Sequence, residues 1–129
     1  YMLWVACVDA RLGVRTIVGF YLSRSVNAGL KHACDQARPY NAYPITVAFF
    51  GKRKRSPSFP SQSVQTMWFM QCAMHRAVSG HMALWLVWQG YFVFVVVGLA
   101  CTRLYRGLHY PHDMLGSLLL AHALGALLL

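Results

Sequence analysis

Two short stretches of this chain hold residue types that together could handle a phosphate. The first reads Lys31-His32-Ala33-Cys34-Asp35-Gln36-Ala37-Arg38-Pro39. Lys31 and Arg38 are seven positions apart, about two turns of helix, so the spacing predicts one shared face. Arginine offers a planar fork that can hold two phosphate oxygens, and lysine adds a point charge. Pro39 disfavours helix at Arg38 and predicts that the segment ends there. An ordinary basic helix end at a membrane surface would explain this stretch equally well.

The second stretch runs from Cys101 through Thr102, Arg103 and His109 to Asp113. His109 precedes Asp113 by four positions, a reach at which a carboxylate can bond one imidazole nitrogen. That bond would fix the tautomer and leave the other nitrogen free as a nucleophile. Arg103 would neutralise phosphoryl oxygens. Pro111 suits the first turn of a final helix, which puts Asp113 near that helix's positive end. A polar interfacial loop explains the charges here, but not why all of these types coincide. His109, His112 and Asp113 do not form a metal set, because Pro111 breaks the spacing and no further ligand is evident.

The elements that must position these groups are apolar. Of 129 residues, 57% are hydrophobic and only 12% charged, against about 25% charged in ordinary globular domains. Twelve Lys and Arg face three acids (Asp9, Asp35, Asp113), a formal net charge of +9 that predicts an anionic partner. A soluble nucleic-acid binder would not usually carry long apolar spans as well, so nucleic acid is excluded in favour of a membrane-associated phosphate. The four cysteines show no paired spacing.

Residues 82–100 contain one strongly polar side chain, Gln89, and approach the roughly 20 residues that cross a bilayer. Residues 114–129 form a second apolar run, with His122 expected to be packed and hydrogen-bonded. Residues 64–77 and 16 to about 37 read as further helices; Arg24 and Asn27 require one face of the latter to look into the bundle. Connections fall at 39–60, 75–81 and 103–113. The fold class is therefore an all-α membrane protein, a single domain over 1–129. The opening Tyr-Met-Leu-Trp and the apolar ending suggest truncation at both ends. Because helices alternate direction, the 39–60 and 103–113 connections lie on one face and the 75–81 turn on the other.

Lys-x6-Arg-Pro, a later Pro-Ser, and Thr-Arg-x5-His-x3-Asp together resemble the three-part signature of the type 2 phosphatidic acid phosphatase superfamily, over residues 31–113. The resemblance implies a helical transmembrane bundle, this chain supplying the C-terminal four helices of a six-helix core. It implies an integral-membrane hydrolase that removes phosphate from lipid phosphates and diphosphates without a metal or other cofactor, through a phosphohistidine. His109 and Asp113 take the catalytic positions, and Lys31, Arg38, Ser61 and Arg103 the phosphate-binding ones.

The second motif departs from the family pattern, Pro-Ser-Gly/Ser-His, whose histidine acts as general acid. Pro60-Ser61-Gln62-Ser63 keeps Pro-Ser but has Ser63 at the histidine position. Ser79-Gly80-His81 keeps Ser-Gly-His but lacks the proline. From Ser61 to Arg103 is 42 positions, room for two crossings and a return to the same face; from Ser79 it is 24, room for one. The motif is therefore assigned to Pro60-Ser61, with Ser61 capping the next helix and its free amides aimed at the phosphate. His81 becomes a decoy across the bilayer.

Loss of a positioned general acid typically costs about 10²–10⁴ in rate. A diphosphate leaving group needs less help than an alkoxide, so diphosphates would suffer least, and His112 is a minor substitute. The segment Phe-Pro-Ser-x-x-x-Gln-x-Met-Trp-Phe at 59–69 is similar to dolichyl-diphosphatases of the endoplasmic reticulum. The leading expectation is thus a polyprenyl (dolichyl) diphosphate phosphatase; the alternative is a catalytically impaired lipid-phosphate binder. A transporter or channel fragment rests on the apolar spans alone.

Lys52, Arg53, Lys54 and Arg55 read as a solvated basic loop that could attract an anionic headgroup. The distribution of Lys and Arg weakly favours a cytosolic active face. The resemblance implies a luminal one in the endoplasmic reticulum and carries the greater weight.

Overall fold

A computed structural model describes Val5, Cys7 and residues 9–43 and 56–129. The basic run at Lys52, Arg53, Lys54 and Arg55 lies outside the described residues. Among them the regular structure is entirely helical: α1 (Ala10–Cys34), a short α2 (Pro39–Ala42), α3 (Gln62–Val78), α4 (Met82–Tyr105) and α5 (Pro111–Leu128).

Helix α1 begins earlier than its apolar pattern suggested, because Asp9 caps it. The Asp9 carboxylate accepts from the amides of Arg11 at 2.8 Å and Leu12 at 3.2 Å. The helix ends earlier too. Asp35 takes a left-handed conformation, φ 37° and ψ 39°, and its amide donates back to the Lys31 carbonyl. Arg38 therefore lies beyond the helix in extended backbone, and the expectation that Lys31 and Arg38 share one helical face is wrong. Pro39 opens α2 at its first position, where proline's missing N–H costs nothing.

Helix α3 is the centre of the bundle, packed against α5, α1 and α4. Phe69 and Ala73 of α3 and Ala121 of α5 are wholly buried at its middle. Beside this apolar core runs a buried polar clamp between α1 and α3. Asn27 Nδ2 donates to Gln65 Oε1 at 2.5 Å, and Gln65 Nε2 donates to the carbonyl and hydroxyl of Ser23 at 2.8 and 2.9 Å. A buried amide without such partners costs about 1–3 kcal/mol, so the clamp fixes the rotation of α1 against α3. At the far end, Gln89 of α4 accepts from Gln71 at 2.7 Å, which satisfies the one strongly polar side chain of that apolar helix.

Helix α4 is long and apolar enough to cross a membrane, the one such helix among the described residues by length and composition. Its buried residues are Phe92 and Val96, while Leu86, Val87, Phe94 and Val97 face outward. It extends to Tyr105, so Arg103 stands in its last turn rather than in a loop. Gly107 then turns the chain with φ 59°, a value that favours glycine, and its carbonyl accepts from the Tyr40 amide at 3.3 Å. That contact ties α2 to the α4–α5 connection.

Candidate active site

Three connecting segments meet at one end of the bundle, and Lys31 and Arg38 hold them together. Lys31 Nζ donates to the carbonyls of Pro57 at 2.9 Å and Pro60 at 2.7 Å. Arg38 is buried. Its Nε donates to the Ser56 carbonyl at 2.8 Å, and Nη2 to the Pro57 carbonyl and the Ser56 hydroxyl at 3.1 Å each. Its Nη1 donates across to the Leu108 carbonyl at 2.7 Å. Backbone carbonyls satisfy these donors but do not neutralise the cations, so the positive field survives at the site.

His109 and Asp113 are both buried, with Nδ1 3.4 Å from Oδ2. This is a close electrostatic contact rather than a well-formed hydrogen bond. Asp113 is the third residue of α5, where its Oδ2 accepts from the Tyr110 amide at 2.9 Å and fixes the carboxylate at the helix's positive end. The other imidazole nitrogen, Nε2, lies 3.5 Å from Arg38 Nη1. A guanidinium has no acceptor, so this neighbour favours the tautomer with the lone pair on Nε2 and the proton on Nδ1, toward Asp113. Burial lowers the His109 pKa below its ordinary value, Arg38 and Lys31 lower it further, and Asp113 opposes them. The neutral, nucleophilic ring is therefore favoured.

A cavity of about 450 Å³ opens against these groups. Lys31, Arg38 and His109 line it from one side, Gln62, Ser63 and Thr66 of α3 from another. Ser63 sits in the first turn of α3 and lines the cavity. Ser79 and His81 lie at the opposite end of α3, about 25 Å along its axis.

Ser61 differs from expectation. It occupies the N-cap position of α3, yet its side chain makes no capping bond. Its amide is taken by Ser117 Oγ at 2.7 Å, and that hydroxyl in turn donates to the Asp113 carbonyl at 2.5 Å. The Ser61 amide is thus spent on tying α3 to α5 and is not aimed at the cavity. Ser61 Oγ and Arg103 Nε are buried without a hydrogen-bond partner among the described residues, and neither residue lines the cavity. Unsatisfied buried donors are rare enough in folded proteins to mark a functional region.

His112 does not line the cavity. Its Nε2 lies 2.7 Å from Gln36 Nε2 and 3.3 Å from Asp113 Oδ1, and its ring stacks on Tyr110 with centroids 5.1 Å apart. His122, expected to be packed and hydrogen-bonded, is exposed and makes no hydrogen bond among the described residues. Sequence reasoning turned Arg24 toward the bundle but gave it no part in the site, and it missed Ser117. Arg24 lines the cavity and precedes Lys31 by the same seven positions that separate Lys31 from Arg38, a spacing visible in the sequence.

The sequence profile of the PAP2 superfamily matches residues 12–129. The chain belongs to the PAP2 superfamily. That membership supports a phosphatase-type activity on lipid phosphates in a membrane. The matched span takes in α1 to α5 whole apart from the first two residues of α1, so the family's extent and the described bundle coincide. No curated protein and no solved structure matches the chain.

Proposed function

We propose that this PAP2-superfamily chain hydrolyses the terminal phosphate of a polyprenyl diphosphate, of which dolichyl diphosphate is the leading case. His109 Nε2 attacks the terminal phosphorus as the bond to the bridging oxygen breaks. The electron pair leaves with the lipid phosphate, and water then cleaves the phosphohistidine. Asp113 keeps the proton on Nδ1 and steadies the positive charge that develops on the ring. Lys31 and Arg38, which line the cavity, hold the phosphoryl oxygens; Arg103 adds its charge to theirs, and Ser61 ties α3 to α5 through Ser117.

One observation carries the reading: His109 has a carboxylate at one nitrogen, an arginine at the other and a cavity in front of it. Ser63 favours a diphosphate. A serine cannot protonate an alkoxide as an imidazolium does, but a lipid phosphate, whose last proton titrates near pH 6, leaves without one. The multi-span arrangement in the endoplasmic reticulum with a luminal site belongs to the same proposal and rests on the motif resemblance.

The test is phosphate release by the purified protein from dolichyl diphosphate, phosphatidate and sphingoid phosphates. His109→Ala is expected to lose about 10³-fold or more in turnover, as removal of a nucleophile does. Wild-type activity in that variant overturns the mechanism. The second reading, a lipid-phosphate binder without turnover, is motivated by Ser63; it calls for salt-sensitive binding of all these lipids and no phosphate release from any.

A further inference from the structure

The cavity holds one more cation than the proposed chemistry uses. Arg24 lies on α1 two turns before Lys31, about 10 Å further from the connecting segments along the helix axis. Met67 and Leu99 line the cavity at the same depth, beyond Ser63 on α3 and before Arg103 on α4. The cavity therefore extends along the bundle from Arg38 and His109, at the end where the connecting segments meet, to Arg24. The Arg24 guanidinium lies over the Phe20 ring at 5.6 Å and has no hydrogen-bond partner among the described residues. It is exposed, lines the cavity and has no ion pair among the described residues, so its charge is available to an anion there.

We propose that Arg24, with the hydroxyls of Ser63 and Thr66 across the cavity, binds the phosphate that stays on the lipid, and so selects diphosphates over monophosphates. This rests on the proposed phosphatase reading and names its substrate class from a residue outside the three motifs. The direction is fixed by the reaction. With the terminal phosphate at His109 and the lipid tail along the helices, the lipid-linked phosphate lies toward the middle of α1, where Arg24 is the cation that lines the cavity. When the bridging P–O bond breaks, its electron pair passes to the lipid phosphate, which gains a negative charge. A guanidinium placed there stabilises that charge directly, in the role a general acid fills for an alkoxide. The cation count agrees. Arg24, Lys31 and Arg38 line the cavity and no acid does, which suits a diphosphate carrying about one charge more than a monophosphate.

The experiment compares wild type, Arg24→Gln and Arg24→Lys in the full chain in detergent. It measures kcat/KM on a polyprenyl diphosphate and the matching monophosphate, together with affinities for inorganic pyrophosphate and inorganic phosphate. Arg24→Gln is expected to lower the diphosphate kcat/KM about 10²-fold, the scale of removing one charge-stabilising donor. The diphosphate-to-monophosphate ratio is expected to fall at least about tenfold, and the pyrophosphate preference over phosphate to fall with it. Arg24→Lys keeps the charge but loses the fork, so an intermediate ratio is expected. Equal losses on both substrates, or no change in either ratio, overturn the proposal. If wild type binds pyrophosphate through Arg24 but releases no phosphate, the phosphatase reading fails and the Arg24 site stands. If it hydrolyses lipids while Arg24→Gln leaves the ratios intact, the Arg24 site fails and the phosphatase reading stands. A wild type that neither binds pyrophosphate better than phosphate nor turns over overturns both.

Discussion

Arg38 Nη1 stands 3.5 Å from His109 Nε2 while donating to the carbonyl of the preceding residue, Leu108, at 2.7 Å. One guanidinium thus fixes the backbone that leads into His109 and stands against the ring nitrogen proposed as the nucleophile. Its other nitrogens reach the segment from Ser56 to Pro57. Arg38 therefore joins the first motif to the third through the stretch that leads into the second, and the cations proposed to bind phosphate also assemble the site that receives it.

The same relationship sets the protonation of His109. Burial, then the charges of Arg38 and Lys31, lower its pKa; Asp113 acts the other way. Histidine ¹⁵N NMR, assigned by difference with His109→Gln, is expected to give a midpoint below 6.5, the ordinary value. For stability, the depressed folded value means that the unfolded chain takes up the proton first. The contribution is fully present above pH 6.5 and is lost as pH falls toward and through the folded pKa. A midpoint at or above 6.5 would contradict the electrostatic account.

Ser63 faces the cavity from the first turn of α3, so a histidine there can meet a leaving oxygen. Ser63→His is expected to raise lipid monophosphate turnover by about 10²-fold or more, the usual contribution of a positioned general acid. The gain on a diphosphate is expected to be smaller, since its leaving group needs no proton. A variant with unchanged monophosphate turnover would show that the pocket has diverged from an acid-assisted reaction, in favour of the binding reading.

Gly116 of α5 lies under Phe59, the residue before Pro60-Ser61. A β-carbon at Gly116 would stand 2.5 Å from Phe59 Cε2 and 2.9 Å from Cζ, so the aromatic ring must move. Gly116→Ala is expected to lose about 1–3 kcal/mol of stability, as overpacking does, and to lower turnover by displacing the second motif. Gly98→Ala in α4 meets nothing within 4 Å and is the matched control, expected to gain about 0.4–1 kcal/mol. Thermal melting in detergent separates the two; a Gly116→Ala protein that melts with the control would show that Phe59 yields freely.

Much of this was legible in the sequence because it depends on local rules. Apolar runs gave the four long helices. Pro111 and Asp113 marked the start of α5, since a missing N–H and a negative charge both suit a helix's first turn. Counting positions put Ser63 and His81 at opposite ends of α3, because rise per residue is fixed by backbone geometry. Family membership was written in motif spacing. Local rules also misled: the Lys31–Arg38 spacing counts as two turns only if the helix continues, and Asp35 in a left-handed conformation stops it four residues after Lys31.

Tertiary structure decided what depends on partners distant in sequence. Ser61 looked like a capping and phosphate-binding residue until Ser117, 56 positions away, took its amide. Arg38 looked like a ligand alone until carbonyls 18 to 70 positions away made it also a clamp. Arg24 was an awkward charge in an apolar helix until the buried Asn27–Gln65–Ser23 bonds set the rotation of α1 and turned Arg24 to the cavity of His109. A sequence fixes which groups are available and roughly how high along each helix they stand. Which of them meet is chosen by the need to pair every buried polar group, and that is satisfied only once the helices are packed.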